Sequence, residues 1–368
     1  MLIFKDVLYF CILFFTVFIS FCVFIGMSFK AKTAFDGSIL RGRAVAIVPA
    51  HNEELVIINI LTDLVNNKFD RIFIILDACT DKSETLVKAF LDFNNNSSFI
   101  TVFYTDFHSK GKSLKKCLPD ILDMLTNNDD IYFFDADNRI FPDFLNKAHN
   151  IQGALVQFHL RPSNFSFLIP RLYGLMHDYY YAIMRGFNML GLSCALSGTA
   201  TRIEAGVLKN YEYDSTSLVE DCEYSFKVPL YIHYEDSVFV YDEKPTNFWV
   251  SCNQRLRWCR GNLDIFFSRR WFTRHFYFII FALMMFLSLL IFPFIHFSIS
   301  YFLYCLMFST VYFLFTTPRD EEHLYKFTDY IMFYFFNLSI IPICVIALVS
   351  FKTKFWYRTP HKGDILNA

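Results

Sequence analysis

The sequence predicts an α/β domain built on an open parallel sheet, flanked by α-helical membrane segments. Three observations carry this. From Arg43 to about Asp137, short apolar runs alternate with helix-length amphipathic stretches, the pattern of repeated βα units. The apolar run 131–134 ends abruptly in two carboxylates, Asp135 and Asp137, with one small residue between them. Long uncharged stretches lie towards both ends of a chain of 368 residues that is 54% hydrophobic and 20% aromatic. That is too apolar for one ordinary soluble domain, but long enough for a domain of usual size plus membrane helices.

Residues 7–29 carry no charge and exceed the roughly 20 residues a crossing helix needs. They lack the short core and small-residue cleavage site of a signal peptide, and so read as an uncleaved anchor. Lys30, Lys32, Arg41 and Arg43 follow it, which places the downstream side in the cytosol. Residues 44–48 form the first strand and Pro49 to Glu53 the loop after it. A helix over 54–64 leads to a second strand, 71–76, which ends at Asp77. Thr80 or Asp81 caps the next helix, with Glu84 placed for a capping box behind Asp81. A strand at 99–104, a helix at 112–124 and the strand at 131–134 complete the series. Beyond Ile140 the pattern predicts a strand at 154–159, a helix with a Tyr-rich face at 169–185 and a strand at 237–241. The basic, aromatic segment 265–275 reads as lying at the membrane surface.

Residues 276–317 hold no Asp, Glu, Lys or Arg, and as one helix would be roughly 60 Å long, twice the hydrocarbon thickness. Two crossings, turning near residues 293–296, follow, with a further span at 330–351. That count puts the C-terminus outside, whereas Lys352, Lys354, Arg358 and Lys362 favour the inside; an interfacial path for part of 276–317 removes the conflict. The expected organisation is an anchor at 1–30, the α/β domain at 31–275, a membrane region at 276–351 and a basic tail at 352–368.

A net charge of −1 gives no basic field for nucleic acid. The ten cysteines show neither a CxxC pair nor metal-ligand spacing, and read as small buried hydrophobes in a reducing setting. Neither GxGxxG nor GxxxxGK[ST] occurs, so dinucleotide and P-loop readings lose their main support. In an open α/β sheet, ligands collect beyond the carboxyl ends of strands. Two acids there are either a solvated acidic turn or the partners of a divalent cation that carries a phosphate-containing substrate.

Further motifs decide between these. Pro49-Ala50-His51-Asn52-Glu53, Asp77 with Cys79-Thr80-Asp81, Lys110-Gly111, Asp135-Ala136-Asp137, Val219-Glu220-Asp221 and Gln254-Arg255-Leu256-Arg257-Trp258 follow one another in order between the membrane segments. In that order and spacing the chain resembles the membrane-bound family 2 glycosyltransferases, which include cellulose, chitin and hyaluronan synthases and related bacterial polysaccharide synthases. The resemblance covers Arg43 to about Phe267. It implies a GT-A fold on the cytosolic face, a nucleotide-sugar donor, a divalent metal (Mg2+ or Mn2+) and inversion at the anomeric carbon.

Residue by residue, the resemblance makes Asp137, with Asp135 beside it, the metal ligands, and lines Asp135 and Lys110 along the donor phosphates. Ala50, His51 and Glu53 wall the nucleoside, and Asp77 reads the uracil ring. Asp221 is the base that takes the acceptor proton; Val219 stands where the family has Thr, which removes a hydroxyl and leaves the base. Arg257 pairs with the diphosphate through its fixed fork. Gln254 and Trp258 face the acceptor, Trp258 offering an apolar face for a sugar ring. Ser197, Gly198 and Thr199 line the acceptor side. Arg255 and Arg260 have the simpler reading of buttressing an interfacial helix. The expected function is transfer from a UDP-sugar to a growing polysaccharide, at the cytosolic face of a bacterial plasma membrane and aided by a homo-oligomer or export partner. The alternatives are single-sugar transfer to a membrane lipid and a catalytically inactive scaffold.

Overall fold

The computed structural model describes residues 21–22, 25–26, 42–94, 98–214, 217–268 and 325–353. Strand β1, Ala44–Ala50, is buried at every position and lies inside the sheet. Its neighbours are β2, Arg71–Asp77, and β4, Asp130–Phe133, both parallel to it, with β3, Ile100–Thr105, parallel to β2 on the outside. Continuous apolar runs suit strands covered on both faces. The register sets Ala50 beside Leu76 and Asp77 beside Thr105, so the carboxyl ends finish level and their loops share one edge.

Helices cover this part of the sheet. Helix α1, Ile57–Asn66, buries Ile57, Ile60, Leu61 and Leu64, a single stripe at helical spacing. The helix expected from residue 54 starts three residues later. Asp63, also buried, accepts from Arg139 Nε at 2.6 Å and from the Ile140 amide at 3.1 Å, and so fixes the chain just past Asp137. Helices α2, Ser83–Asn94, and α3, Lys110–Asp123, follow as the pattern predicts. At α2, Asp81 accepts the Ser83 amide at 2.9 Å, while Glu84 pairs with Lys88 rather than closing a capping box.

The second half corrects the expectation of a parallel sheet. The sheet has seven strands in the order β3-β2-β1-β4, then β6 (Thr201–Glu204), β5 (Leu155–Pro162) and β7 (Ile232–Asp242). After the short helix α4, Phe144–Ala148, come β5, Leu155–Pro162, and helix α5, Leu168–Met189. Strand β6, Thr201–Glu204, runs antiparallel to both β4 and β5, so the sheet is mixed. Its four residues include Arg202, fully buried, whose guanidinium donates to the carbonyls of Ala148, Ile151 and Gly153. A charged residue satisfied inside the core hides such a strand from an apolar pattern. Helices α6, Ala205–Asn210, and α7, Glu220–Lys227, precede β7, Ile232–Asp242, which is parallel to β5 with a bulge opposite Phe158 and His159.

Helix α8, Phe248–Phe267, is capped by Asn247, whose side chain accepts from the Trp249 and Val250 amides. Ile265, expected at a membrane surface, is 1% exposed and belongs to the core. The span expected at 330–351 is two helices, α9, Phe327–Leu338, and α10, Ile340–Ser350, meeting at Ser339. The stretch Phe327–Ser350 is 24 residues with a hydropathy of 2.3, long and apolar enough to cross a membrane by length and composition. Its inner side packs on α5, with Tyr330, Phe333 and Phe336 against Leu172, Tyr173 and Leu175. Arg171 grips Asp329 at 2.8 and 3.1 Å, and Arg255 donates to the Phe336 carbonyl and the Ser339 hydroxyl at 2.9 Å each. Arg260 donates to Ser350 Oγ. Arg255 and Arg260 thus brace the C-terminal helix pair from α8. The expected crossings at 276–317, most of the anchor and the tail beyond Thr353 lie outside the described residues.

Candidate active site

One cavity of about 520 Å³ opens at the carboxyl edge of the sheet. Every residue given a donor, acceptor, metal or base role in the sequence lines it: Ala50, His51, Glu53 and Asp77; Lys110, Asp135 and Asp137; Ser197, Gly198 and Thr199; Asp221; Gln254, Arg257 and Trp258.

One end is made by the loops after β1 and β2. His51 Nδ1 lies 2.5 Å from the Asp77 carbonyl oxygen, and its ring meets His108 edge-on. The Glu53 amide donates to Ser83 Oγ at 2.7 Å. Asp77 is buried and takes three hydrogen bonds, from Thr105 Oγ1 and the Phe107 amide on Oδ1 and from the Ser109 amide on Oδ2. Burial alone would raise its pKa, but these donors hold the carboxyl below its usual range.

At the centre, the turn carrying Asp135 and Asp137 is pinned from behind. The Asp135 amide donates to Asn138 Oδ1 at 3.0 Å and to Thr199 Oγ1 at 2.9 Å, and Thr199 Oγ1 donates to Asn138 Oδ1. Thr199 is therefore a prop for this turn, 3% exposed, and its hydroxyl is committed there rather than to the acceptor side. Lys110 Nζ sits 2.5 Å from Asp135 Oδ1, 2.7 Å from the Gly198 carbonyl and 3.9 Å from Glu220. Burial works against its charge, but the carboxylates of Asp135, Glu220 and Asp221 outweigh that and hold its pKa up at about 12.

Asp221 stands in the first turn of α7, half-buried, opposite Gly198. Gly198 has φ +79°, and a Cβ there would come within 3.3 Å of Asp221 Oδ2, so only glycine brings the loop this close. Burial, reinforced by the neighbouring Glu220, pushes the Asp221 carboxyl up to about 7. Val219 packs against α8, where a Cβ on Gly261 would lie 2.7 Å from Val219 Cγ2. An apolar residue is thus accommodated where the family has Thr. From α8, Arg257 has one long contact, Nη1 to the Leu218 carbonyl at 3.5 Å, and its buried Nε has no partner. Gln254 accepts from Tyr173 at 2.8 Å, and Trp258 meets the Tyr173 ring edge-on.

Sequence reasoning missed the remaining lining. Helix α5 contributes Met176, His177, Tyr180 and Tyr181, and the end of β7 contributes the ion-paired Asp242 and Lys244. The Tyr-rich face of α5 was visible in the pattern, but nothing in it told cavity from core.

The donor set fits a hard divalent cation that arrives with phosphate. Asp135 and Asp137 offer carboxylate oxygens to the cavity, and Arg257, which lines the same cavity, offers guanidinium donors to an anion. Among the described residues no cluster of three or more His, Cys, Asp or Glu side chains could hold an ion without such help.

The sheet and the cleft at its carboxyl edge define a GT-A-type fold. Over 94% of this chain and 99% of the other, the structure superposes on the mannosyltransferase PcManGT from Pyrobaculum calidifontis in complex with GDP-Man and Mn2+, with a TM-score of 0.57 at 13% identity. Residues 45–151 match Glycosyl transferase family 2, and residues 131–317, half of the chain, match Glycosyl transferase family group 2. The chain belongs to this glycosyltransferase family. A relative from Bacillus subtilis (strain 168), named "Probable glycosyltransferase YdaM", is 26% identical over 231 residues. That alignment takes in 59% of this chain and 54% of the relative, so the chain spans about half the length of the relative it matches.

Proposed function

We propose that the chain is an inverting, metal-dependent transferase at the cytosolic face of a membrane, moving a sugar from a nucleotide sugar to a growing polysaccharide. The observation that carries this reading is the convergence of Asp135, Asp137, Asp221 and Arg257, drawn from β4, α7 and α8, on one cavity. Asp137 and Asp135 would hold Mg2+ or Mn2+, which as a Lewis acid stabilises a departing diphosphate. Arg257 adds a donor fork with spare capacity, and Lys110, once drawn from Asp135, a second cation. Asp221 takes the proton of the attacking hydroxyl, and a base with its pKa near 7 is matched to that task at neutral pH.

The nucleoside lies over Ala50 and His51 with Glu53 alongside. Asp77, held ionised at the end of β2, stands where the family's uracil-reading residue stands in the sequence. That supports a UDP-sugar. Gln254, Arg257 and Trp258 stand as in chain-elongating members of the family, which supports a polysaccharide acceptor, with Ser197 and Gly198 alongside. A membrane-borne lipid acceptor is the second reading. It is favoured by the outward apolar face of α9 and α10, where Phe335 is 47% and Val349 85% exposed, on the far side of the helices that line the cavity.

Membranes containing the chain, given radiolabelled UDP-glucose, UDP-N-acetylglucosamine or GDP-mannose with Mn2+ or Mg2+, test the proposal. Label should pass from one donor to product, and Asp221→Asn should slow that transfer by at least about 10²-fold. If no donor is hydrolysed or transferred, the reading is wrong. Long polymer or a single labelled lipid separates the two acceptors.

A further inference from the structure

The motif residues leave one face of the cavity unexplained. Helix α5 presents His177 and Tyr180 there, three residues apart and so on one side of the helix. Among the described residues, neither imidazole nitrogen of His177 and not the Tyr180 hydroxyl has a hydrogen-bond partner. Their neighbours are rings: Tyr173 and Tyr181 for His177, Tyr181 for Tyr180. The contrast with nearby groups is plain, since Tyr173 donates to Gln254 and Tyr234 bonds His159. Polar groups that line a cavity without a protein partner are met by water or by a ligand. A ligand in the cavity would satisfy both.

The chemistry of the pair narrows that ligand. Burial, with Lys244 and His159 adding to it, keeps the His177 imidazole neutral, and burial keeps the Tyr180 phenol protonated. Each group can both donate and accept one hydrogen bond, the complement of a hydroxyl rather than of a phosphate, which calls for cations. Asp221, the proposed base, lines the same cavity as the pair. Residues three apart on a helix have Cβ atoms about 5–6 Å apart, the scale of one sugar ring.

We infer that His177 and Tyr180 form a hydroxyl-reading subsite for the acceptor, so that the acceptor presents a sugar ring with hydroxyls beside the one attacked. This rests on the glycosyl-transfer reading and names the acceptor class for the same cavity.

The full chain in detergent would be assayed with the three donors above, reading nucleoside diphosphate release. Octyl glycosides of glucose, galactose, mannose and N-acetylglucosamine serve as acceptor probes, against decyl phosphate. At least one glycoside should stimulate release from the wild type. Tyr180→Phe, which keeps the ring and its packing, and His177→Ala should each raise that glycoside's KM by about tenfold, the loss of a hydrogen bond. Acceptor-free donor hydrolysis and donor KM should stay within about twofold in both. Stimulation by decyl phosphate alone or by no glycoside overturns the inference, as does an unchanged glycoside KM or a parallel fall in donor hydrolysis. A wild type that turns over no donor fails the transferase reading itself, a different result from donor turnover without a glycoside effect.

Discussion

The two walls of the cavity are held by different means. On the nucleotide wall, side chains at the ends of β1, β2 and β4 are held by hydrogen bonds from adjoining loops, as Asp77 is by the amides of Phe107 and Ser109. The acceptor wall consists of side chains on α5, α7 and α8, and two of these helices are supported from behind by α9 and α10. There the support is packing and ion pairing across long sequence distances: Tyr173 on Phe336, Arg171 on Asp329, Arg255 over Phe336. The first wall is preorganised by the sheet, and the second is only as firm as the docking of the C-terminal helices.

The largest effect should fall on the acceptor wall. Asp221→Asn should lower the transfer rate by about 10²–10⁴-fold while leaving nucleotide affinity unchanged, measured by transfer kinetics beside nucleotide binding. A matching loss of nucleotide affinity would erase the division between the walls. Next, Asp329→Ala strands Arg171 and should destabilise the chain by about 3–5 kcal/mol in thermal unfolding, because a buried pair loses one partner. Acceptor KM should rise in this variant with nucleotide affinity held. If both shift equally, the two walls are one cooperative unit.

The pH dependence gives a smaller but sharper test. A base must be ionised to act, so kcat/KM should fall about tenfold per pH unit below an inflection near 7, where Asp221 takes up its proton. Nucleotide binding should show no such inflection. The least effect is expected of Val219→Thr, which restores the family's residue. A hydroxyl buried against Gly261 should cost about 1–3 kcal/mol of stability, with transfer changed by under about threefold.

The same contrast governs what could be read in advance. Strands expected at 44–48 and 71–76 are observed at Ala44–Ala50 and Arg71–Asp77, because buried parallel strands write themselves as apolar runs. Site residues at their ends follow from the sheet. Strand β6 did not show, since Arg202 is paid for by carbonyls brought from elsewhere in the fold. Thr199 looked like a loop residue facing the acceptor because its real partner, Asn138, is 61 positions away. His177 and Tyr180 resemble any pair on an aromatic helix until the helix is seen to line the cavity that holds Asp221.

The most direct test is a structure of the full chain with Mn2+ and a non-hydrolysable UDP-sugar. The pyrimidine should lie beside Asp77, the diphosphate between Asp137 and Arg257, and the Asp221 carboxylate should face the anomeric carbon. A nucleotide bound outside this cavity, or Asp221 turned away from the sugar, would contradict the account.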